Sequence, residues 1–457
     1  MKNQTNPVKS LHSHGAGKSK KLLWLEKTLR LLAVAILNKY NPRIVGITGS
    51  VGKTSTKEAV FEVMTKYARV RKNEKNYNNE IGLPLTIIGS ESGGRSIFRW
   101  LGVFLKALWI IVFPFEYPEI LVLEMGADRP GDVDYLTSFI HCEAVVITDI
   151  SGSHLEYFKN LNSVAKEKWT LVEKSLPSAM AALNIDNPNI AKLKSQNKNE
   201  QSDFLTFGFS PEADIQAKEV LFNYVEGEDS GKKEIKGISF KLSYKGTMLP
   251  VRLNNVLARH SIYAALAAVA VGIKFKLNLV EIAAALTNFS LPSGRMTLIP
   301  GIKNSFIIDD SYNSSPVSAQ AALEIMREIK SSRKIAVLGD MLELGKDTEE
   351  GHCEVARKFL EAKGDVFFAV GRRMQFAAEE LKKHNFPAEK IFSFPDPMSA
   401  GKKLKEIAKE GDLILIKGSQ GMRMEKVVED VMAFPESADY LLCRQDEAWR
   451  KKEWKVV

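Results

Sequence analysis

The chain has 457 residues, 45% of them hydrophobic and 26% charged, which is too long for one hydrophobic core and calls for two or three folded domains. Its formal net charge is +9, but much of the excess sits at the ends, on Lys2, Lys9, Lys18, Lys20 and Lys21 and on Arg450, Lys451, Lys452 and Lys455. That distribution is not the basic stripe a nucleic acid requires, and no nucleic-acid partner is expected.

Residues 1–20 are polar, carry no apolar periodicity and read as a disordered tail. A helix is predicted from about Lys21 to Lys39, closed by Asn41-Pro42, so that 21–42 forms one N-terminal helix. From Arg43 short apolar strands alternate with helical stretches. RIVGIT is a strand, a glycine turn follows, and a helix runs from Lys53 to about Tyr67. ILVLEMG and AVVITDI are further buried strands, VAKEKWTLVEK is helical, and AMAALNID reads as a helix end leading into a strand. This βαβα rhythm predicts an α/β fold with a mostly parallel sheet flanked by helices.

Between Asp214 and Leu253 the texture changes. ISFKLSYKGTMLPVRL alternates apolar and polar residues around Lys245-Gly246, as a hairpin does, and EGEDSGKKE before it reads as a solvated loop. Helices are predicted at about 258–271 and 279–287, and Leu291-Pro292-Ser293-Gly294 reads as a hinge. A second α/β domain of Rossmann-like rhythm then occupies 293–435, with SFIIDD, KIAVLGD, DVFFAVG, KIFSF and DLILIKG as its strands, and 436–457 reads as a basic tail.

Two apolar segments interrupt this plan. Residues 22–37 carry Glu26, Lys27 and Arg30, and residues 97–115 carry Arg99 and Lys106, so neither is the uncharged run of about 20 residues that spans a bilayer. On a helix Arg99, Gly102 and Lys106 share one narrow face, leaving Trp100, Phe104, Leu108 and Trp109 elsewhere. That pattern suits a helix lying in a membrane interface, and equally one buried against the protein or a partner. Cys142, Cys353 and Cys443 are far apart, lack metal-ligand spacing and point to a reducing cytoplasm; no secretory signal is apparent.

The strongest chemical signal is Gly46-Ile47-Thr48-Gly49-Ser50-Val51-Gly52-Lys53-Thr54, set between a strand and a helix. Glycines let backbone N–H groups approach phosphate oxygens, the helix N-terminus adds partial positive charge, Lys53 neutralises the outer phosphates and Thr54 can ligate Mg²⁺. The longer common motif requires glycine where Ile47 stands; the form present is T-G-x-x-G-K-T. By itself Glu124, at the end of a buried strand, is a carboxylate at the sheet's carboxyl edge or a structural acid.

TGSVGKTSTKE at 48–58 resembles the phosphate loop of the Mur ligases, the ATP-dependent amide-forming enzymes of peptidoglycan assembly. KNYNNEIGLPLT at 75–86, LVLEMGADRPGDVDYL at 121–136, TDISGSHLEYFKNLNSVAKEKW at 148–169, FIIDDSYNSSPVSAQAAL at 306–323, IAVLGDMLELG at 335–345 and IKGSQGMRMEKVV at 416–428 are similar to segments of that family in the same order, DDSYN and GDMLELG to its MurF type. The resemblance implies ATP bound by Gly49, Ser50, Val51, Gly52, Lys53, Thr54 and Ser55. It implies Mg²⁺, two ions, held by Thr54, Glu124, His154 and a carbamylated Lys168. Arg295 would reach the ATP phosphates as the domains close, Asp310, Tyr312 and Asn313 would contact nucleotide, and Asn78, Asn79, Lys417 and Ser419 would meet substrate. Lys53, Lys168 and Arg295 are the implied catalytic set. The implied substrates are a UDP-MurNAc-peptide and D-alanyl-D-alanine, handled in the cytoplasm by a monomer. The apolar insert 97–115 stands where the family is more polar; it either makes a peripheral membrane contact together with 22–37 or pairs with the 22–37 helix.

Two positions depart from the family. Only some 43 residues precede the phosphate loop, so the family's separate N-terminal UDP-binding domain is not expected, and UDP recognition is either rebuilt or replaced. The family's G-R-H-N helix start appears as Ala258-Arg259-His260-Ser261, and serine cannot present the paired donor and acceptor that an asparagine offers adenine. Other readings stay open at this point: a folylpolyglutamate- or cyanophycin-synthetase-like ligase with another carboxylate acceptor, or a non-catalytic nucleotide-binding protein.

Overall fold

The computed structural model describes residues 19–74, 77–152, 158, 160–197, 203–226 and 233–450. From the N-terminus the elements run α1 (Lys20–Tyr40), β1 (Arg43–Thr48), α2 (Lys53–Met64), β2 (Val70–Lys72), α3 (Gly82–Ile88), α4 (Ile97–Val112), β3 (Ile120–Glu124), α5 (Asp132–Thr137), β4 (Ala144–Ile147), α6 (Leu161–Glu173), β5 (Met180–Asn184), α7 (Pro188–Gln196), β6 (Asp203–Gly208), β7 (Ile215–Glu226), β8 (Lys233–Tyr244), β9 (Thr247–Asn254), α8 (Ser261–Lys274) and α9 (Leu279–Leu286). They continue as β10 (Thr297–Gly301), β11 (Ser305–Asp310), α10 (Pro316–Glu328), β12 (Arg333–Gly339), α11 (Thr348–Glu361), β13 (Val366–Val370), α12 (Gln375–Lys383), β14 (Ile391–Phe394), α13 (Pro397–Ile407), β15 (Asp412–Lys417) and α14 (Glu425–Val431).

The chain forms two compact units: the described parts of 1–220, 240–252 and 260–289, and those of 221–239, 253–259 and 290–457. One sheet is ordered β2-β3-β1-β4-β5-β6-β7-β8-β9. Its first strands pair in parallel, β1 lying between β3 and β4. Helices cover both faces of such a sheet, which is why β3, β4 and β5 read as continuous apolar runs and are buried throughout. The segment AMAALNID, expected as a helix end leading into a strand, is strand from Met180 to Asn184 with no helix end within it. Strand geometry wins over the helix propensity of its alanines. α8 is rich in alanine because it packs closely on α2 with almost its whole surface buried. The β8–β9 hairpin turns on Lys245 and Gly246 at φ 46° and 80°, the left-handed pair that a tight two-residue turn demands. Most of the EGEDSGKKE loop, like the tail 1–18, lies outside the described residues.

The second unit carries a sheet ordered β10-β11-β15-β12-β13-β14. It is parallel except for β10, which pairs antiparallel with β11 at the edge. The five apolar runs named from the sequence all form strands; β10 was not among them. The stretch after 435 is more than a basic tail as far as Arg444: Leu442, Cys443 and Arg444 are buried, and Arg444 and Arg423 both pair with the fully buried Glu425.

Candidate active site

The phosphate loop occupies the carboxyl edge of the first sheet, between the end of β1 and the start of α2. Its path is fixed by backbone chemistry. Gly49 has φ +156°, and a Cβ there would sit 2.0 Å from the Thr148 hydroxyl, so no larger residue fits. Gly52 caps α2 at φ +85° with no side-chain bond to the helix's first amides. Those amides and the helix dipole therefore face outward as an anion site. The loop is stitched to the end of β4: Ser50 N–H donates to the Asp149 carbonyl at 2.8 Å, Ser50 Oγ to the Ser151 carbonyl at 2.9 Å, and Thr148 Oγ1 to the Val51 carbonyl at 2.5 Å. Val51 stands out at the tip, largely exposed, and Ser55 lies half-buried in the first turn of α2. Lys53 folds back on the loop, Nζ donating to the Gly49 carbonyl at 2.7 Å.

Beside the loop lies Glu124, the last residue of β3. Its carboxylate accepts from Thr54 Oγ1 at 3.0 Å and from Asn78 Nδ2 at 3.2 Å, while Asn73 brackets its backbone through Glu124 N–H and C=O. The buried Lys57 supports that bracket by donating to the Asn73 carbonyl at 2.7 Å. Thr54 and Glu124 are hard oxygen donors of the kind Mg²⁺ takes. Among the described residues no group of three or more acidic, histidine or cysteine side chains could hold a metal ion. His154 lies outside the described residues.

Lys168 projects from α6 and is 1% exposed. Burial pushes its ammonium down to about 7, and the Lys53 charge adds to the shift; Asp128, Glu167 and Asp149 oppose it. The same groups place Lys168 within electrostatic reach of the phosphate loop. Glu167, its neighbour, accepts from the Gly131 and Val133 amides at 2.9 and 2.8 Å and anchors the start of α5.

Asn78 and Asn79 diverge. Asn78 faces Glu124, and its carbonyl accepts from Gly126 N–H at 2.8 Å. The Asn79 side-chain oxygen instead caps the turn into α3, accepting from Gly82 and Ile81 N–H at 2.9 and 3.3 Å. Asn79→Ala is therefore expected to lower unfolding free energy by about 1 kcal/mol, read as a shift of the urea midpoint, whereas Asn78→Ala leaves the midpoint nearly in place. Ser261 opens α8 with its hydroxyl buried and without a hydrogen-bond partner. Two residues on, Tyr263 OH donates to Asp186 at 2.9 Å, and Asp186 also accepts from the Phe209 and Ser210 amides.

In the second unit the named residues gather at the ends of β11 and β15. Lys417 Nζ donates to Asp310 Oδ2 at 2.6 Å and to the Asn313 carbonyl at 2.7 Å. The Arg295 guanidinium lies 4.3 Å from the Tyr312 ring centroid, a cation–π contact, and Tyr312 N–H donates to the Gly294 carbonyl at 2.9 Å. Asn313 Oδ1 accepts from Ser314 N–H at 2.9 Å, an Asx-type local bond. Ser419 Oγ accepts from Leu342 N–H at 2.8 Å and donates to the Ser314 carbonyl at 3.3 Å, tying three loops together.

Several supporting residues had no distinctive motif of their own. Asn73 sits in an unremarked RKNE, and Asp149 is a strand-end acid; only the position of Asp149 just after a strand adjacent to β1 signalled it.

The model of the Mur ligase middle domain matches residues 112–272, and that of the Mur ligase, glutamate ligase domain matches 294–420. The chain is 31% identical over 409 residues to the UDP-N-acetylmuramoyl-tripeptide–D-alanyl-D-alanine ligase of Bacillus subtilis, covering 89% of this chain and 79% of that one. Among solved structures it is similar to a MurF ligase from Thermotoga maritima in complex with ADP, at 25% identity and a TM-score of 0.68, covering 91% of this chain and 84% of the other. A MurF from Acinetobacter baumannii shares the fold at a TM-score of 0.72 and 23% identity, covering 89% and 80%. On these matches, spread along nearly the whole described length, the chain belongs to the Mur ligase family.

Proposed function

We propose that this protein is an ATP-dependent ligase of peptidoglycan precursor synthesis, joining D-alanyl-D-alanine to the terminal carboxylate of a UDP-MurNAc-tripeptide and releasing ADP and phosphate. The observation that carries this reading is the phosphate loop held against β4, with the Thr54–Glu124 pair and the buried Lys168 beside it. The named activity of the Bacillus subtilis relative supplies the substrates.

The loop amides and the N-terminus of α2 bind and orient the phosphates, and Lys53 offsets the charge that spreads over the transferred group. A carboxylate oxygen of the peptide attacks the γ-phosphorus and ADP departs. The amine then attacks the acyl phosphate, the tetrahedral adduct expels phosphate, and an amide remains. When bound, Mg²⁺ would supply charge neutralisation; Thr54 and Glu124 are the oxygen donors that would hold it, joined by resemblance by His154 and by Lys168 as its carbamate. A carbamate forms when a neutral amine adds to CO₂ with loss of a proton, and a lysine held near 7 offers that neutral amine at physiological pH.

For the remaining residues the support is resemblance. Arg295 is proposed as a phosphate-contacting cation, Asp310, Tyr312 and Asn313 as nucleotide contacts, and Lys417 and Ser419 as contacts to the incoming substrate. Asn78 and Asn79 are proposed substrate contacts, Asn79 through its amide nitrogen, and Ser261 is proposed at the adenine. A UDP-linked substrate and three free, buried cysteines fit the cytoplasm. The scheme needs no second copy, and we take the protein to act as a monomer.

The test is phosphate release from Mg-ATP with UDP-MurNAc-tripeptide, with and without D-alanyl-D-alanine. Release that requires both, with the amide product seen by mass, is the expected result. ATP binding without stimulation by either substrate would overturn the assignment and point to another carboxylate acceptor.

A further inference from the structure

α4 is inverted relative to an ordinary surface helix. Val103, Ala107 and Ile110 form its narrow buried line and join the core cluster that holds Leu29, Ala33 and Ile36 of α1. The face turned away from them carries not polar residues but Phe98, Leu101, Leu105, Leu108, Trp109 and Val112, with Phe98 86% exposed. The N-terminal half of α1 extends this surface. Trp24, 63% exposed, meets the Phe104 ring edge-on at 6.4 Å, and Leu31 is exposed one turn beyond Lys27.

Within α1 and residues 92–115 the exposed charges have one sign. No acidic residue occurs between Glu91 and Glu116, and the sole acid of α1, Glu26, is buried. Exposed cations are Lys20, Lys21, Lys27, Arg95 and Arg99. The far end of α4 is also prepared for a dry surface. Lys39 Nζ donates to the carbonyls of Ile110, Ile111 and Phe113 at 2.9, 3.0 and 2.7 Å, and Tyr40 OH to Ile110 at 2.9 Å. Helix-end carbonyls that would otherwise need water are thus satisfied from within the protein. Among the described residues no helix is long and apolar enough to cross a membrane.

We propose that the outer faces of α4 and of the N-terminal half of α1 form one docking surface for an anionic lipid bilayer, with the apolar ridge inserted at the headgroup boundary and the flanking lysines and arginines on the lipid phosphates. The sign of the charge selects this occupant over a second copy of the chain. Self-pairing would bring like cations together, whereas anionic headgroups neutralise them.

Co-sedimentation of the full chain with vesicles of equimolar phosphatidylcholine and phosphatidylglycerol, against pure phosphatidylcholine, tests the proposal. Binding to the mixed vesicles is expected to be about ten-fold tighter, weakened by salt, and accompanied by a blue shift of tryptophan fluorescence that Trp109→Phe diminishes. The combined change Phe98→Ser, Leu101→Ser, Leu105→Ser and Trp109→Ser is expected to weaken binding about ten-fold or more while ATP turnover in solution is unchanged. Should that variant fail to fold, Lys27→Gln with Arg95→Gln and Arg99→Gln, which touches no core residue, must still weaken binding to the mixed vesicles. Absence of sedimentation with either vesicle overturns the proposal. So does a dimer in sedimentation velocity that the serine variant abolishes, because a second copy would then own the surface.

Discussion

Lys53→Ala is expected to reduce ADP-forming turnover by at least about 10²–10³-fold, the scale of losing one fixed electrostatic contact to a developing charge. The substitution sits at the first position of α2, where alanine is the best helix former, so unfolding is not the expected cause of the loss. The ammonium rests on the Gly49 carbonyl, inside the loop that would cradle the phosphates, where its charge would act on the transferred group. Turnover should therefore fall further than ATP affinity. Equal loss of both would assign Lys53 to ground-state binding alone.

Lys168→Met should separate stability from activity in opposite directions. In the metal-free, uncarbamylated protein a lysine held near 7 against an ordinary value of 10.5 destabilises the fold, because the unfolded chain takes up a proton that the native state resists. The sign follows from that. Above about 10.5 neither state is protonated and the lysine has no penalty; the penalty grows as pH falls toward 7 and is constant below. Methionine carries no charge into the same space, so the variant's melting temperature should exceed that of the parent by several degrees at neutral pH and the gap should close as pH approaches 10.5. Activity should fall by about 10²-fold or more, since the proposed metal-holding group would be lost. Bicarbonate should stimulate the parent protein and leave the variant unaffected. A variant that is both less stable and fully active would make Lys168 an ordinary core residue.

The phosphate loop was legible because everything that defines it is local: a buried strand, two glycines that must leave the ordinary backbone regions, and a helix, all within about a dozen residues. Continuous apolar runs likewise announced the parallel strands of both units. What stayed hidden depends on long-range packing. β10 escaped because Pro300 interrupts its pattern, and a proline is tolerated there only because β10 lies at the sheet's edge. Asn78 and Asn79 are the same letter twice, and only the direction of each side chain separates a neighbour of Glu124 from a helix cap. The low pKa of Lys168 arises from burial of the face of α6 that carries it and from the charge on Lys53, more than a hundred positions away in the chain. For α4, spacing showed that Arg99 and Lys106 share a side; that the widest apolar side points outward required the fold.

The position of α4 has an evolutionary and practical corollary. It lies wholly within the connection from β2 to β3, adds no strand to the sheet and packs on α1 and α3. The part of that connection from 95 to 115 is a socket: it can be exchanged for another segment while Asn73, Asn78 and Glu124 stay in place. A replacement for 95–115 has to supply apolar side chains in the space of Val103, Ala107 and Ile110 and a helix end whose carbonyls meet Lys39 and Tyr40. On the docking proposal, what it presents on its other side would set which surface the protein visits, so that address would be written in a segment separable from the phosphate loop and Glu124.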